Sequence, residues 1–502
     1  MCYIVLMITR IKIGGFKSLL DTELYFGAFT CIAGANAAGK SNFFDALMFL
    51  SKLADETILQ AARAVRSENQ KHTNIRDIFF KSGNRYIDTM SFEVDMIIPQ
   101  SGEDDLGQLA TATITSIQYA LTLQFNQDDE EGGAIRIKSE SLIPINTSEM
   151  KKNMKTIYEK EWLESALRRA NHASTPYIST SGNKIRLHQD GGNKGRSFEF
   201  IAEKMPRTLL SSTTAESPTS FLVRQEMRRW MMLQFEPSAL RQPNTTFEIR
   251  NAQILPNGSH LPATLYRLHS EKKEIDLYQI LTNRLKNLID NVIEIQVDKD
   301  EKRDLLTLQL KFKDGLTLPT QSLSDGTLRF LGLSIIEADR SRGGLICLEE
   351  PENGINPLKV KQMVSLLENM ATDPKLPIDD ENPLRQVIIN THSPLVVGIV
   401  FEDSLLLAKT VTKYNDILGA QVSQTIFAAM PDTWRTNNRE KLAKMQATTM
   451  GEIFEYLGKQ DDSEKEPDKT KKTVNRRMMQ EREKQQRKQL QQKAPRLFDD
   501  AQ

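Results

Sequence analysis

A glycine-rich stretch near the start of the chain, GANAAGKS, has the spacing G-x-x-x-x-G-K-S. It follows an apolar segment typical of a strand and precedes an amphipathic pattern that predicts a helix from Lys40. Backbone N–H groups in such a loop bind phosphates, the lysine reaches the β and γ phosphates, and the serine hydroxyl ligates Mg²⁺. The sequence therefore predicts a nucleotide site at Gly34, Ala35, Asn36, Ala37, Ala38, Gly39, Lys40 and Ser41.

Two carboxylates, Glu349 and Glu350, stand side by side where the apolar run LICL ends. Neighbouring residues of a strand point to opposite faces, so we expect the two side chains to differ in role. Glu349 suits a Mg²⁺ ligand, directly or through water, and Glu350 suits the polarisation of an attacking water. The alternative is a pair of surface glutamates at a strand end, and the phosphate-binding loop in the same chain argues against it.

His392 closes the next apolar run, in the stretch INTHSP over 389–394. A histidine at the end of the strand that follows the acidic strand is placed to hydrogen-bond a terminal phosphate. The alternative is a histidine that is merely packed or exposed. We predict that His392 has a catalytic role.

The stretch LSDGT over 323–327 is polar and opens an apolar helical run. Ser324 and Gly326 supply a hydroxyl, an unhindered backbone and a helix N-terminus, which together suit an anion. Asp325 lies between them and is counted with them as part of the predicted binding motif. The loop at 34–41 already holds the phosphates of one nucleotide, so a second anion site is best explained by a nucleotide on another copy. We therefore predict a twofold pair of chains that encloses two ATP molecules.

Strand and helix patterns place these motifs in an α/β protein. Three apolar runs, LLTLQLKF, GLICLEE and RQVIINTHSP, predict strands of one buried parallel sheet. Elsewhere the patterns predict strands over 8–18, 21–34, 91–98 and 114–125, and helices over 40–65 and 219–235.

The changes in pattern also suggest domain boundaries. The motifs fall into two parts, separated by a middle part with helical stretches and polar loops. The predicted domains are 1–145 and 301–410 as the two halves of one nucleotide-binding head, 146–300 as a mainly helical insertion, 411–458 as a small extension and 459–502 as a charged tail.

The composition limits the class of protein. Lys+Arg 66 and Asp+Glu 66 give a net charge of +0, so binding to nucleic acid would need a local patch. The three cysteines match no metal spacing and suit a reducing cytoplasm, where we expect the protein to act. No apolar run is long enough to span a membrane. The opening MCYIVLMITR predicts a strand rather than a signal peptide, and Met7 is an alternative start to Met1.

The tail at 459–502 is rich in Lys, Arg and Gln and poor in apolar residues. Such a segment cannot bury enough surface to fold alone, which favours a disordered or singly helical tail. The alternative is a basic arm that binds nucleic acid or a partner protein.

Five motifs together resemble those of the ATP-binding-cassette (ABC) ATPases of the RecF/SMC-like branch, in particular the OLD- and PtuA-like ATPases of bacterial anti-phage defence. They are GGFKS, GANAAGKS, LSDGT, LEEPENGINP and NTHSP, and they cover about 1–130 and 300–410. The resemblance implies an α/β fold of the ABC-type P-loop ATPase head. Such a head has a mixed sheet, an antiparallel layer and helices on the faces, here with a largely helical insertion. It also implies ATP and Mg²⁺ as cofactors.

The resemblance implies roles for single residues. LSDGT would be the signature motif, Glu350 the catalytic base, NGINP the loop that crosses the dimer interface, and His392 the switch histidine. Lys17 of GGFKS would approach the nucleotide. Glu349 stands where most relatives carry Asp, and Asn356 stands where many carry His, although Asn356 can cap the helix begun by Pro357. Two glutamines are candidates for the residue that senses Mg²⁺ and water in relatives: Gln118 and Gln124.

The leading functional hypothesis is an ATP-hydrolysing dimeric switch that controls a separate effector, most simply a nuclease, in anti-phage defence. ATP would close the dimer and hydrolysis would reopen it. The insertion and the tail would bind the effector or DNA, and the sequence leaves a higher oligomer open. Few residues of ordinary composition follow Pro394, so we expect no nuclease activity in this polypeptide.

Two alternatives predict different behaviour. A DNA repair or recombination ATPase of the RecF type would bind DNA in a salt-sensitive way. A scaffold would bind ATP and barely hydrolyse it.

Overall fold

The computed structural model describes residues 7–65, 74–104, 106–127, 135–168, 175–190, 198–250, 252–271, 276–286, 288–289, 291–340, 343–436, 445–449 and 451–453. The chain divides into two units, Met1–Thr448 and Thr449–Gln502. The elements named below belong to the first unit. The predicted tail at 459–502 and the alternative start at Met1 lie outside the described residues.

Strands and helices alternate along the first unit. The elements up to residue 144 are β1 (Met7–Phe16), β2 (Leu19–Tyr25), β3 (Phe29–Ala33), α1 (Lys40–Leu53), α2 (Ile58–Ala64), β4 (Lys81–Ser82), β5 (Arg85–Tyr86), β6 (Thr89–Ile97), β7 (Ser101–Glu103), β8 (Leu109–Thr111), β9 (Ser116–Phe125) and β10 (Ile135–Pro144). The middle elements are α3 (Thr147–Met154), α4 (Lys160–Ala166), β11 (Ile178–Ser181), β12 (Lys184–Leu187), β13 (Phe198–Ile201), α5 (Pro218–Arg228), β14 (Met231–Leu233), α6 (Pro237–Leu240), β15 (Asn244–Thr245), α7 (Leu261–Glu271), α8 (Leu277–Lys286) and β16 (Val292–Asp300).

The remaining elements carry the acidic and histidine motifs. They are β17 (Leu305–Phe312), β18 (Thr317–Pro319), α9 (Asp325–Ala338), β19 (Gly344–Glu349), α10 (Val360–Met370), β20 (Arg385–Thr391), α11 (Pro394–Ile399), β21 (Leu405–Asn415), β22 (Ala420–Ala429) and β23 (Gln446–Ala447). Short 3-10 helices lie at Ile75–Ile78, Ala202–Lys204, Leu210–Ser212, Thr246–Ile249, Thr320–Ser322, Pro357–Lys359 and Glu402–Ser404.

A seven-stranded sheet carries the predicted site. Its order is β14-β19-β20-β3-β21-β22-β23. The five strands from β14 to β21 run parallel, and β22 turns back antiparallel to β21. Every residue of β3 and β20 is buried, as expected for strands covered on both faces. The phosphate-binding loop follows β3, so it leaves the sheet at the same edge as the ends of β19 and β20.

An eight-stranded sheet, predominantly antiparallel, forms the second layer. Its order is β13-β12-β11-β10-β9-β6-β1-β2, which includes the strands predicted at 91–98 and 114–125. The alternating burial of β6 and β9 shows that one face packs on the core. The two large sheets and their helices confirm the predicted mixed α/β class.

The main core lies between these layers and includes α1. Phe16 of β1, Phe49 of α1 and Phe92 of β6 form a cluster with ring centroids 5.6 to 5.8 Å apart. Residues of the parallel sheet, such as Ile32 and Ile388, belong to the same cluster. The helix that opens at the phosphate-binding loop is therefore held rigidly on both sides by apolar packing.

The described residues between 146 and 300 contain both helices and strands. β11, β12 and β13 extend the antiparallel sheet, and β14 extends the parallel sheet at its edge. The domain boundaries at 145, 300, 410 and 458 remain predictions.

Several element predictions were wrong in detail. The strand expected over 21–34 is two strands in different sheets, because the chain turns at 26–28. The helix expected over 40–65 ends at Leu53, since Thr57 and Gln60 form a capping box that starts α2. The helix expected over 219–235 ends at Arg228, and Met231–Leu233 pairs with β19 instead.

LLTLQLKF does not join the parallel sheet. It forms β17 in a separate four-stranded sheet, where it pairs antiparallel with β15, β16 and β18. Its alternating apolar and polar residues match the observed burial of one face, whereas a strand of a doubly covered sheet would be apolar throughout.

Buried polar groups tie the layers together. The Gln386 amide on β20 donates to the carbonyls of Ile8 (2.8 Å) and Gly27 (2.9 Å) and accepts from the Ile8 N–H (3.0 Å). Gln386 is fully buried, so loss of these bonds would leave polar groups without partners. This contact fixes β20 against the antiparallel layer.

The described cysteines Cys31 and Cys347 are free and buried. Both lie on strands of the parallel sheet. Among the described residues, no helix is both long and apolar enough to cross a membrane.

Glu140 on β10 holds the loop before α5. Its carboxylate accepts from the N–H groups of Leu209 (2.7 Å) and Leu210 (2.9 Å) and from the Tyr119 hydroxyl (3.2 Å). Burial raises the pKa of Glu140 to about 7, although these hydrogen bonds act in the opposite direction.

We predict that Glu140 makes stability fall as pH rises from 5 to 7.5. Glu140 has a pKa of about 7 in the folded chain and 4.5 in the unfolded chain, so the folded chain keeps a proton that the unfolded chain releases. The resulting stabilisation is fully present below pH 4.5 and is lost as the pH rises through 7. A shift of this size corresponds to roughly 3 kcal/mol. Denaturant unfolding at several pH values should show a flatter profile for Glu140→Gln than for the wild type. Glu164→Gln, at an exposed position of α4, should keep the wild-type slope, and equal slopes for all three proteins would contradict the prediction.

Candidate functional site

The phosphate-binding loop lies between a buried strand and a buried helix. β3 ends at Ala33, α1 begins at Lys40, and the loop 34–39 spans them as the sequence predicted. α1 lacks an acidic residue in its first turn, and Gly39 provides no capping side chain. The free N–H groups and the positive end of the helix dipole therefore remain available to an anion.

Backbone conformation explains the glycine at 39. Gly39 adopts φ 88°, and a Cβ atom there would overlap the Thr425 hydroxyl. Ala37 adopts φ 63°, a left-handed conformation that is unfavourable for alanine. The loop thus contains one position that requires glycine and one where glycine would relieve strain.

Lys40 lies under the loop and is buried. Its ammonium donates to the carbonyls of Gly34 (2.6 Å) and Ala35 (2.9 Å). Burial lowers the pKa of Lys40, although three glutamates of the site act in the opposite direction. The neighbouring Ser41 is exposed and lines the same cleft as Lys40.

The two adjacent glutamates lie at the end of β19. Glu349 is the last strand residue, paired in register with Asn390 of β20, whose amide lies 3.4 Å from the Glu349 carboxylate. Glu350 follows the strand with φ 46°. The expectation that strand alternation separates the two side chains was wrong, because Glu350 is no longer in the strand and both residues line one cleft.

Glu350 and His392 are in direct contact. The Glu350 carboxylate lies 2.6 Å from His392 Nδ1 and accepts from the Asn353 amide at 2.7 Å. Burial alone would raise the pKa of Glu350, but the hydrogen bonds from Asn353 and His392 outweigh it and lower that pKa. Glu350 is therefore held as a carboxylate, the form that a general base requires.

An open cleft of about 740 Å³ brings these groups together. His392 does not line the cleft itself, but it contacts Glu350, which does. The lining residues are Asn36, Ala37, Ala38, Gly39, Lys40, Ser41, Asn42, Gln234, Phe235, Glu236, Arg329, Glu349, Glu350, Asn353 and Asn390.

The cleft fits a nucleotide with Mg²⁺. Mg²⁺ prefers oxygen ligands and usually keeps water and substrate phosphates in its shell. The Ser41 hydroxyl and the Glu349 carboxylate supply two such oxygens. Within the described residues no group of three or more His, Cys, Asp or Glu side chains is arranged to hold a metal ion.

The sequence did not single out Gln234. It follows β14, lines the cleft, and its amide lies 3.5 Å from the Glu349 carboxylate. The two glutamines considered for sensing Mg²⁺ and water, Gln118 and Gln124, do not line the cleft, and Gln118 instead donates to Asp95 (2.8 Å). The three-residue strand MML before Gln234 could have indicated this position. It was not recognised, because the helical pattern of α5 was extended through it.

Lys17 is not brought into the cleft. It adopts φ 45° in the turn between β1 and β2, and its ammonium pairs with Asp45 of α1 at 2.7 Å. The GGFKS turn thus contacts the helix that follows the phosphate-binding loop. Its approach to a nucleotide remains a prediction.

The LSDGT turn caps α9 and lies outside the lining of its own cleft. Ser324 is the N-cap and accepts from the Thr327 N–H at 3.3 Å, and Asp325 pairs with Arg241. Gly326 has an additional reason to be glycine, because a Cβ atom would overlap the carbonyl of Gly354.

The NGINP loop is therefore packed against the LSDGT turn of the same chain. The loop continues into a 3-10 helix that starts at Pro357. The Asn356 side chain accepts from the Leu358 N–H at 3.0 Å, so the predicted cap is confirmed. Ser324 and Asp325 remain exposed beside this loop.

The fold and the cleft define a P-loop ATPase with a mixed α/β head. The AAA ATPase domain family matches residues 7–397, and the chain belongs to that family. No curated protein matches the chain.

Solved structures of SMC heads show distant similarity. One is an SMC head bound to the C-terminal winged-helix domain of ScpA, with 12% identity over 84% of this chain and 98% of that chain, and a TM-score of 0.44. Another is the SMC head of Thermotoga maritima, with 11% identity, the same coverage and a TM-score of 0.34. A third, from Pyrococcus furiosus, has an extended coiled coil and is bound to the C-terminal domain of ScpA. It shows 12% identity over 85% of this chain and 97% of that chain, and a TM-score of 0.39.

We predict that substitutions at two positions of the loop differ in their effect on ATP affinity. Gly39→Ala would combine an unfavourable φ with overlap at Thr425, so ATP affinity should fall more than tenfold. Ala37→Gly removes about 1 kcal/mol of strain and should keep ATP affinity within about threefold of the wild type. Equilibrium binding of a fluorescent ATP analogue measures both variants. Equal affinities for Gly39→Ala and the wild type would contradict the loop geometry.

Proposed function

We propose that the chain is an ATP-hydrolysing switch that works as a homodimer, with two ATP molecules enclosed between the protomers. The supporting observation is the position of LSDGT. Ser324 and Asp325 are exposed at the start of α9 but do not line the cleft that contains the phosphate-binding loop. An anion-binding helix end that its own site does not use is explained by a partner's nucleotide.

Within each site the residues divide the chemistry. Glu350 accepts the proton of the attacking water, and His392 orients the Glu350 carboxylate. Lys40 binds the β and γ phosphates, and the loop N–H groups hold their oxygens. Ser41 and Glu349 would hold Mg²⁺, which when bound neutralises charge on the phosphates. Support for the base comes from the 2.6 Å contact between Glu350 and His392.

ATP would drive the switch through its different affinity for the open and closed pair. A closed pair gains the contacts of LSDGT with the terminal phosphate, and hydrolysis removes them. The NGINP loop packs on Gly326, so it would move with the LSDGT turn when hydrolysis removes the phosphate contacts, and it would transmit this movement across the interface.

The effector we propose is a separate nuclease in anti-phage defence. The support is the resemblance of the five sequence motifs to the OLD- and PtuA-like ATPases. Purification of a tagged Glu350→Gln chain from its native cells should recover a nuclease in stoichiometric amounts. Recovery of a replication protein instead would contradict this setting while leaving the ATPase mechanism intact.

Glu350→Gln should trap the ATP-bound pair. Removing a general base lowers the rate by about 10²- to 10⁴-fold, while the amide keeps the size of the side chain. Light scattering after size exclusion should therefore show twice 57.1 kDa with ATP and Mg²⁺, and 57.1 kDa without nucleotide. A chain that stays monomeric with ATP would contradict the proposal.

A matched pair of variants at Ser324 tests the signature turn. Both Asp and Asn cap helices as well as Ser does, so α9 should remain stable. Ser324→Asp places a negative charge toward the partner's phosphates, so ATP-dependent pairing and hydrolysis should fall at least tenfold. Ser324→Asn adds no charge and should keep more activity than Ser324→Asp. Equal hydrolysis by the two variants would show that this turn meets no phosphate.

A further inference from the structure

Arg329 is a cation of the cleft that the motifs do not account for. It lies on α9, and with Lys40 it supplies the positive side chains among the described lining residues. Lys40 already donates to two loop carbonyls. Within the described part of the chain, no side chain or carbonyl pairs with the Arg329 guanidinium, and its Nε is buried without an acceptor.

A buried guanidinium N–H without an acceptor is unfavourable, so an acceptor is expected when the site works. Among the described residues, three glutamates line the cleft, and two of them, Glu349 and Glu350, already have contacts, whereas Glu236 is exposed to solvent. Glu349 lies near the amides of Gln234 and Asn390, and Glu350 is held by His392 and Asn353. An arginine can donate from Nε and a terminal nitrogen together to two oxygens of one phosphate. Because the phosphate-binding loop lines the same cleft, a phosphate group is the acceptor that we expect for the Arg329 guanidinium.

Neighbouring contacts connect the face of α9 that carries Arg329 to the acidic end of the cleft. Phe235 contacts α9, since a Cβ atom at Gly332 would lie 3.3 Å from its ring. The adjacent Gln234 lies 3.5 Å from Glu349. The face of α9 that carries Arg329 is thus joined through residues 234–235 to the acidic end of β19, where the terminal phosphate reacts.

We propose that Arg329 binds the terminal phosphate of the ATP held by its own chain, and thereby couples that ATP to the signature turn. Ser324 begins the same helix five residues earlier, about 7.5 Å along the axis. Each α9 would then contact one nucleotide through Arg329 and the partner's nucleotide through Ser324. The coupling rests on the proposed dimer, whereas phosphate binding by Arg329 does not require it.

The test measures binding to a chain whose ATP-dependent pairing is weakened. In the Ser324→Asp background, Arg329→Gln should lower the affinity for a fluorescent ATP analogue at least tenfold and change the affinity for the ADP analogue less than threefold. Arg329→Lys keeps the charge without the planar fork and should give an intermediate ATP affinity. Arg303→Gln removes an equal charge at an exposed position outside the cleft and should match the parent chain.

Equal ATP affinity for Arg329→Gln and its parent would overturn the proposal, as would an equal loss for ATP and ADP. Thermal melting within a few degrees of the parent would exclude unfolding as the cause, and Arg329→Lys provides the same comparison if the Gln variant does not fold. Failure of Glu350→Gln to dimerise would overturn the proposed function, but the ATP and ADP affinities of the Arg329 variants could still be compared. The two proposals therefore fail separately.

Discussion

The register of three parallel strands is the constraint on which the site depends. β3, β20 and β19 are adjacent, with Ala33 opposite Thr391 and Asn390 opposite Glu349. This register brings the phosphate-binding loop, the histidine and the acidic pair to one edge, although the loop lies in the N-terminal part of the chain and the other two lie far beyond it. The bonds of Gln386 to Ile8 and Gly27 fix β20 against the antiparallel layer. A shift by one residue would reverse the faces of the strand side chains and separate Glu350 from His392.

The second consequence concerns α9. The helix is buried along most of its length, yet its N-cap Ser324 and its first residue Asp325 are exposed, and Arg329 in the second turn lines the cleft. A rigid helix with one contact at each of two nucleotides transmits a small displacement without unfolding. The packing of Gly326 on Gly354 adds the NGINP loop to the same rigid body. In this account hydrolysis at one site affects the other site, because the proposed contacts of Arg329 and Ser324 belong to one helix.

The sequence predicted the elements whose signals are local. The phosphate-binding loop, the ends of β19 and β20, and the cap at Asn356 were located from short motifs, because each depends on a strand end or a turn. Gln234 and Arg329 were missed, since their positions in the cleft depend on a three-residue edge strand and on the packing of α9 against Phe235. The backbone conformation of Glu350 could not be predicted either, because the apolar pattern of the sequence does not show at which residue a strand ends.

Site-specific cross-linking tests most directly whether one chain completes the pocket of another. Asn36 in the loop and Ser322 before the LSDGT turn are both exposed and can carry introduced cysteines in a Glu350→Gln, Cys2→Ser chain, whose remaining native cysteines, Cys31 and Cys347, are buried. With ATP, a short bifunctional maleimide should join position 36 of one protomer to position 322 of its partner. Each single-cysteine chain and the nucleotide-free chain should stay unlinked. A denaturing gel with ATP should show a covalent dimer of twice 57.1 kDa, and only unlinked or internally linked chains would contradict the account.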